Sequence, residues 1–205
     1  MKKYEFTGET KLFFGIELKR IKALIDIKGV CKAGELGGYI QSEKNLTQYG
    51  NAWVYGDARV YGDARVYGNA WVYGNAWVHG DARVYGDARV YGNAWVYGDA
   101  RVYGNAWVYG DARVYGDAWE KSPLYIQGTR FAAYMYDSRR FAVGCQRYTF
   151  EGWHKFWRKI AAENFFTAEE QREYIMYFNL ACDRYGKPEC KVSIDDDSGN
   201  EAVDE

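Results

Sequence analysis

The chain has 205 residues, 27 Lys and Arg against 28 Asp and Glu for a net charge of −1, and an aromatic content of 19%. That length holds one elongated domain with appendages or two small domains. The balanced charge argues against nucleic-acid binding through bulk electrostatics, and the lack of an 18-residue apolar run argues against a membrane-spanning helix.

Residues 1–47 open with Met1-Lys2-Lys3-Tyr4-Glu5-Phe6, which lacks the apolar core of a secretory signal, so a cytoplasmic protein is expected. Phe14, Ile16 and Leu18, then after a one-residue slip Ile21, Ala23, Ile25 and Ile27, keep a period of two, predicting short strands; a helix through 16–27 is the alternative. Glycines at 34, 37 and 38 mark turns before Leu46 leads into the next segment.

From Tyr49 to Trp119 the chain repeats Val-Tyr-Gly-(Asp/Asn)-Ala-(Arg/Trp) without insertion or deletion, twelve hexads counted from Gln48. A helix would smear Val and Ala around its barrel, and a Gly in every unit would cost about 0.8–1 kcal/mol each. Read as Ala-(Arg/Trp)-Val, each hexad is instead a short strand with the small and branched residues inward and the long one outward. Tyr-Gly-Asx is then a corner, with Gly supplying positive φ and Asx supplying turn chemistry. The architecture expected is a β-solenoid.

With three hexads per coil, residues eighteen apart stack and twelve hexads give four coils, each rising about 4.8 Å. One outward column is then Trp53, Trp71, Arg89 and Trp107; a second is Arg59, Trp77, Trp95 and Arg113; a third is Arg65, Arg83, Arg101 and Trp119. The first two suit indole stacking and guanidinium-over-indole contacts. The third stacks like charges, which needs neutralising. Asp accompanies Arg and Asn accompanies Trp in eleven of the twelve hexads, Asp117 with Trp119 being the exception, so Asp63, Asp81 and Asp99 would run beside that column. Trp53, Trp71, Arg89, Trp107, Trp77 and Trp95 form the candidate binding set, fitting a flat protein partner or a planar, anionic or carbohydrate ligand.

The repeat over 48–119 resembles the hexapeptide-repeat family, an aliphatic residue followed four positions on by a small one. The resemblance implies a left-handed parallel β-helix of about four regular coils. A left-handed coil departs from the usual right-handed crossover, and a right-handed solenoid is the competing arrangement. The run from Lys32 to Tyr39, Lys-Ala-Gly-Glu-Leu-Gly-Gly-Tyr, resembles the entry segment of bacterial and prophage proteins of the YdcK type and implies an irregular first coil.

After Pro123 the repeat stops. Tyr125–Phe131 and Phe141–Gln146 predict two strands around a turn at 137–140. Thr149 can cap a helix through about Asn164, with Trp153, Phe156, Trp157 and Ile160 on its apolar side. Thr167-Ala-Glu-Glu170 is a capping box for a second helix to about Tyr185, with Tyr174, Tyr177, Phe178, Ala181 and Cys182 inward. The fold class expected is mainly β, a left-handed parallel β-helix with a small C-terminal α+β (ββαα) module. The chain divides into N-terminal strands (1–47), the solenoid (48–119), the module (120–190) and an acidic tail (191–205) predicted to be disordered. Gly144-Cys145-Gln146 with Trp153 resembles a module of phage-encoded proteins.

Candidate catalytic groups are sparse. Hexapeptide-repeat acyltransferases resemble the solenoid and imply a general-base His, for which His79, replacing Tyr at one corner, is the candidate; drift at a corner explains it more simply. Cys145 and His154 could form a thiol and base only if brought within about 2.6–3.2 Å. Cys31, Cys145, Cys182 and Cys190 lack paired metal-ligand spacing, so reduced thiols are expected. No metal and no cofactor is expected. The function expected is a non-enzymatic binding or scaffold protein, phage or prophage encoded, with a host protein partner and self-association into a homo-oligomer. An acyltransferase-like enzyme and a nucleotide- or sugar-binding module are the alternatives.

Overall fold

The computed structural model describes residues 1–116, 118, 119 and 122–193. The predicted disordered tail lies almost wholly outside them, as does Asp117. By internal packing the chain forms two units, one of Met1–Pro123 with Tyr136–Ser138, the other of Leu124–Met135 with the residues from Arg139 on.

The first unit is a β-solenoid. Each hexad contributes a strand of two or three residues, and up to the last strand each pairs in parallel with the one eighteen residues on: Trp53 with Trp71, Arg89 with Trp107, Arg59 with Trp77, Trp95 with Arg113, Arg65 with Arg83. Three parallel sheets result, and the Ala and Val of successive hexads from Ala52 to Val114 are buried between them. The corner glycines sit at positive φ, 71° at Gly50 and 59° at Gly116. A second constraint acts there, because a Cβ on Gly68 would lie 3.0 Å from the amide nitrogen of Gly86 in the next coil. The Asx amides also bond up the stack: Asn51 Nδ2 donates to Asn69 Oδ1 (3.3 Å), and Asn69 to Asp87 (3.1 Å).

The last strand breaks the expected register. Arg101 pairs with Ala118 and Val102 with Trp119, so Trp119 does not extend the arginine column but takes the inward place of a Val, 6% exposed. Unbroken periodicity would have brought Glu120 to that inward place. Slipping by one residue sets an indole there instead, over the end of the Ala/Val core.

The other end is covered by residues 1–47. Tyr4–Phe13 and Ile16–Ala23 form an antiparallel hairpin turning at Phe14 and Gly15, both at positive φ, and Ile16–Ala23 pairs with Leu36–Ile40. The strand reading of 16–27 therefore holds over Ile16–Ala23 and the helix alternative fails. The one-residue slip reflects register shifts that bring Leu18 and Ile21 to the same buried side. Tyr39 and Ile40 then stack on Arg59 and Val60, and Leu46 bridges to Val66, giving the irregular first coil. Gly37 and Gly38 are dictated by space, since added Cβ atoms would lie 2.7 Å from the carbonyl oxygens of Val54 and Ala58 respectively.

The coil edge beneath this cover is closed by side chains. Buried Asn45 donates to the carbonyls of Gly62 (3.0 Å) and Ala64 (2.9 Å), and its Oδ1 accepts from Ser42 N (2.9 Å). Gln41 accepts from Gly62 N, and the ammonium of buried Lys3 donates to Ala52 O (2.8 Å). Burial lowers the Lys3 pKa to about 8.

The second unit is a four-stranded antiparallel sheet with two helices. Its strands are Tyr125–Gln127, Ala132–Met135, Arg140–Val143 and Gln146–Thr149, so each of the two predicted strands gives way to a hairpin. Thr149 caps the Phe150–Glu163 helix by accepting from Gly152 N, and Thr167 and Glu170 form the capping box of Ala168–Arg184. Trp153, Trp157, Ile160, Tyr174 and Phe178 are buried as expected; Phe156 is 42% exposed and Tyr177 only half-buried, while Ile175 takes an inward place. Trp153 Nε1 donates to Phe141 O (2.7 Å), tying helix to sheet.

Two substitutions test the closure of the N-terminal edge, and a third serves as their control. Asn45→Leu strands two buried carbonyls and should cost about 2–4 kcal/mol in urea denaturation. Gly38→Ala, which forces a methyl against Ala58 O, should cost about 1–3 kcal/mol. Gly34→Ala, with open space around its Cβ, should lose only its positive-φ preference, about 1 kcal/mol.

Candidate interaction faces

The three sheets present three outward faces, and each uses its arginines differently. On the first, the Arg89 guanidinium lies between two indoles, 4.7 Å from the Trp71 ring centre and 5.0 Å from that of Trp107. Such contacts contribute roughly 0.5–1 kcal/mol each at an exposed site. Trp107 is 43% exposed, so this strip is open at its far end. Trp53 does not join it. Its side chain is fully buried, met edge-on by Tyr4 at 6.2 Å, which removes it from any surface of contact.

On the second face Trp77 and Trp95 stack at 4.3 Å and 19°, with the Arg113 guanidinium 4.7 Å from the Trp95 ring centre. The N-terminal hairpin lies over the other end: Phe13 meets Trp77 edge-on at 4.6 Å, and Arg59 is held between Phe13 (4.5 Å) and Trp77 (5.4 Å). Phe14 at the hairpin tip is 80% exposed. The sequence pattern missed this cover because Tyr4–Phe13 reads as a polar, charged stretch; the only signal was Phe13-Phe14-Gly15, a turn flanked by aromatic residues.

The third face carries Arg65, Arg83 and Arg101, all exposed, beside exposed Asp63, Asp81 and Asp99. Asp63 pairs with Lys44 at 2.7 Å, and that contact, more than Arg65, holds its carboxyl below the usual range. A shallow depression of about 550 Å³ opens at this end, bounded by Lys44, Thr47, Arg65, Val66, Tyr67 and Arg83.

The corners form ring columns. Tyr67 and Tyr85 stack at 4.8 Å, as do Tyr73 and Tyr91. His79 sits between Tyr61 (4.9 Å, 3°) and Tyr97 (5.3 Å, 11°), the stacking expected of a corner substitution. Burial holds its pKa below the ordinary imidazole value. His154 does not engage Cys145: its Nδ1 lies 3.1 Å from the carbonyl oxygens of Cys190 and Lys191, to which it would donate, while Cys145 is exposed in the Val143–Gln146 hairpin. The four thiols are free. Cys182 is buried and its pKa is pushed up to about 12. Among the described residues no cluster of three or more His, Cys, Asp or Glu is arranged to hold a metal, and no helix is long and apolar enough to cross a membrane.

A family model, the YdcK Beta solenoid repeat, matches residues 52–66, 64–80, 82–98, 94–110 and 106–121. The chain is a β-solenoid repeat protein. The matches fall on the hexads whose faces are described above and leave the N-terminal cover and the C-terminal unit outside them. No curated protein matches the chain.

The His79 environment gives a pH dependence. With the folded pKa below the unfolded one, the unfolded chain takes up the proton first, so stability is full above about pH 6.5 and falls as pH drops through that value. His79→Tyr restores the ring column and removes the titration. Its melting temperature should match the wild type at pH 8 and exceed it increasingly between pH 6.5 and 5.

Proposed function

We propose that the protein is a non-enzymatic interaction scaffold, phage or prophage encoded, which engages a host protein in the host cytoplasm and associates with itself. The observation that carries this reading is the Trp71–Arg89–Trp107 strip: a rigid, pre-ordered row of the residue types that dominate protein interfaces, presented on a flat sheet. Stacking holds these side chains in place before any partner arrives, which lowers the ordering cost of association. The left-handed coil belongs to the same proposal, on the strength of the resemblance to hexapeptide repeats. So does the phage setting, on that of the C-terminal unit.

A planar ligand, a nucleotide or sugar, is the second reading, favoured by the exposed indole of Trp107 next to a guanidinium. An acyltransferase with His79 as base is the third. His79 merely takes the place of a corner tyrosine in the ring column, stacked as the tyrosines are, which weighs against a role peculiar to its imidazole.

The test is affinity capture from host lysate by the full-length protein and by a Trp71→Ala, Arg89→Ala, Trp107→Ala variant, read by mass spectrometry. A stoichiometric protein retained by the wild type should be lost by the variant, the binding falling by about 2 kcal/mol or more, roughly thirtyfold. Saturable quenching of tryptophan fluorescence by a nucleotide or sugar would favour the ligand reading. Acetyl-CoA turnover abolished by His79→Ala would overturn the scaffold.

A further inference from the structure

The third face differs from the other two in what its charges do. Arg59, Arg89 and Arg113 all lie against aromatic rings. Arg65, Arg83 and Arg101 lie against none and are exposed; among the described residues, neither they nor Asp81 and Asp99 have a hydrogen bond or an ion pair within 4 Å. The face is therefore two straight stripes of opposite sign, Asp63, Asp81 and Asp99 beside Arg65, Arg83 and Arg101. Each Asp lies at the corner two residues before its Arg, and the positions within each stripe repeat about every 4.8 Å along the stack. Each stripe repels itself, and among the described residues no ion pair offsets this except that of Asp63 with Lys44.

We propose that two copies of the chain meet through this face, side by side, with their solenoid axes parallel and the two-fold axis running along them. The symmetry follows from the stripes. Turning a second copy about an axis along the stack exchanges left and right, so its arginine stripe faces the first copy's aspartate stripe. Both copies keep the same coil height, which sets Arg65 against the second copy's Asp63, Arg83 against its Asp81 and Arg101 against its Asp99. Turning it about an axis across the stack would instead oppose arginine to arginine and aspartate to aspartate. Charge complementarity thus selects a parallel pair and rejects an antiparallel one. Because the face sets three carboxylates beside its three arginines and Lys44, a second copy suits it better than a polyanion, which would meet the aspartates as well.

Three coils of this face cover roughly 300 Å² per copy, well below the ~800 Å² per partner of a standard interface, so the contact is weak and salt-sensitive. This inference rests on the reading of the protein as self-associating and names the surface involved.

The experiment is sedimentation equilibrium on the full chain at low ionic strength. It compares the wild type with an all-acidic face (Arg65→Asp, Arg83→Asp, Arg101→Asp) and an all-basic face (Asp63→Arg, Asp81→Arg, Asp99→Arg). The wild type should dimerise, with the dissociation constant rising about tenfold or more by 0.5 M salt; each variant alone should be monomeric, and an equimolar mixture should form the heterodimer. All six positions are exposed, so circular dichroism should show both variants folded. If a triple variant does not fold, the pair Arg83→Asp and Asp81→Arg makes the same comparison. A dimer that persists in the all-acidic variant would overturn the inference while leaving self-association through another face. A wild type that stays monomeric at low salt would overturn both, and heparin binding by that monomer, lost in the all-acidic variant, would reassign the arginine stripe to a polyanion.

Discussion

The eighteen-residue stacking register is the constraint on which the solenoid depends. Each backbone amide of a strand finds its acceptor one coil away, as Trp53 N does at Ala70 O (3.0 Å) and Arg83 N at Ala100 O (2.8 Å). One residue inserted within a strand would unpair that strand from the next coil and turn its inward side chains outward. The corner therefore admits almost nothing but glycine, barred from a side chain both by its own φ and by the glycine of the next coil. The core admits only Ala and Val because the sheets close on a fixed cross-section. What remains free to vary is the outward position and the corner pair beside it.

That freedom is organised. Where Trp occupies the outward position, Asn stands two residues before it and can pass a hydrogen bond to the next coil, whereas Asp can only accept. Where Arg occupies it, Asp supplies a nearby counter-charge. Columns that mix the two types become self-supporting: guanidinium between indoles, and amide to carboxylate, as from Asn93 to Asp111 at 3.0 Å. The one column that is all Arg beside all Asp has neither device. Its residues satisfy the strand pattern equally well but leave their charges to be met from outside the coil.

Periodicity made the three columns legible before any coordinates, because stacking at a fixed period is a one-dimensional rule. It failed where a local preference outweighed the period. Trp119 turned inward because the regular register would have buried Glu120. The Tyr4–Phe13 strand escaped notice because an edge strand is charged by design against further pairing, so its alternation carries little hydrophobic signal. Trp53 looked exposed for the same reason, since nothing in its hexad announces that Tyr4 lies across it. In the C-terminal unit the four strands were read as two because Gly128 and Gly144 each turn the chain back within what looked like one apolar run; a Cβ at Gly128 would meet Phe131 O at 2.6 Å. The helices were legible to within a residue because Thr149, Thr167 and Glu170 mark their starts chemically.

How the two ends are closed bears on how such a molecule associates. An uncovered coil presents a triangle of unpaired amides and carbonyls, and the simplest assembly would be end-to-end growth. Here one edge is closed by Asn45, Gln41 and Lys3, whose polar atoms occupy backbone positions that another coil would need. The ammonium of Lys3 is buried at neutral pH against a pKa lowered to about 8, an unfavourable placement that makes sense only if Ala52 O must be paired. At the other end Trp119 lies over the core, Ser122 accepts from Trp107 N, and the Tyr136 carbonyl oxygen accepts from Tyr115 N while its ring stacks on that of Tyr115. Among the described residues, both coil ends thus carry groups that stand in the way of axial growth. The lateral faces of the solenoid remain for association: the second is partly covered by Phe13, the first presents the Trp71–Arg89–Trp107 strip, and the third carries arginines and aspartates of which, among the described residues, Asp63 alone has an ion pair, with Lys44.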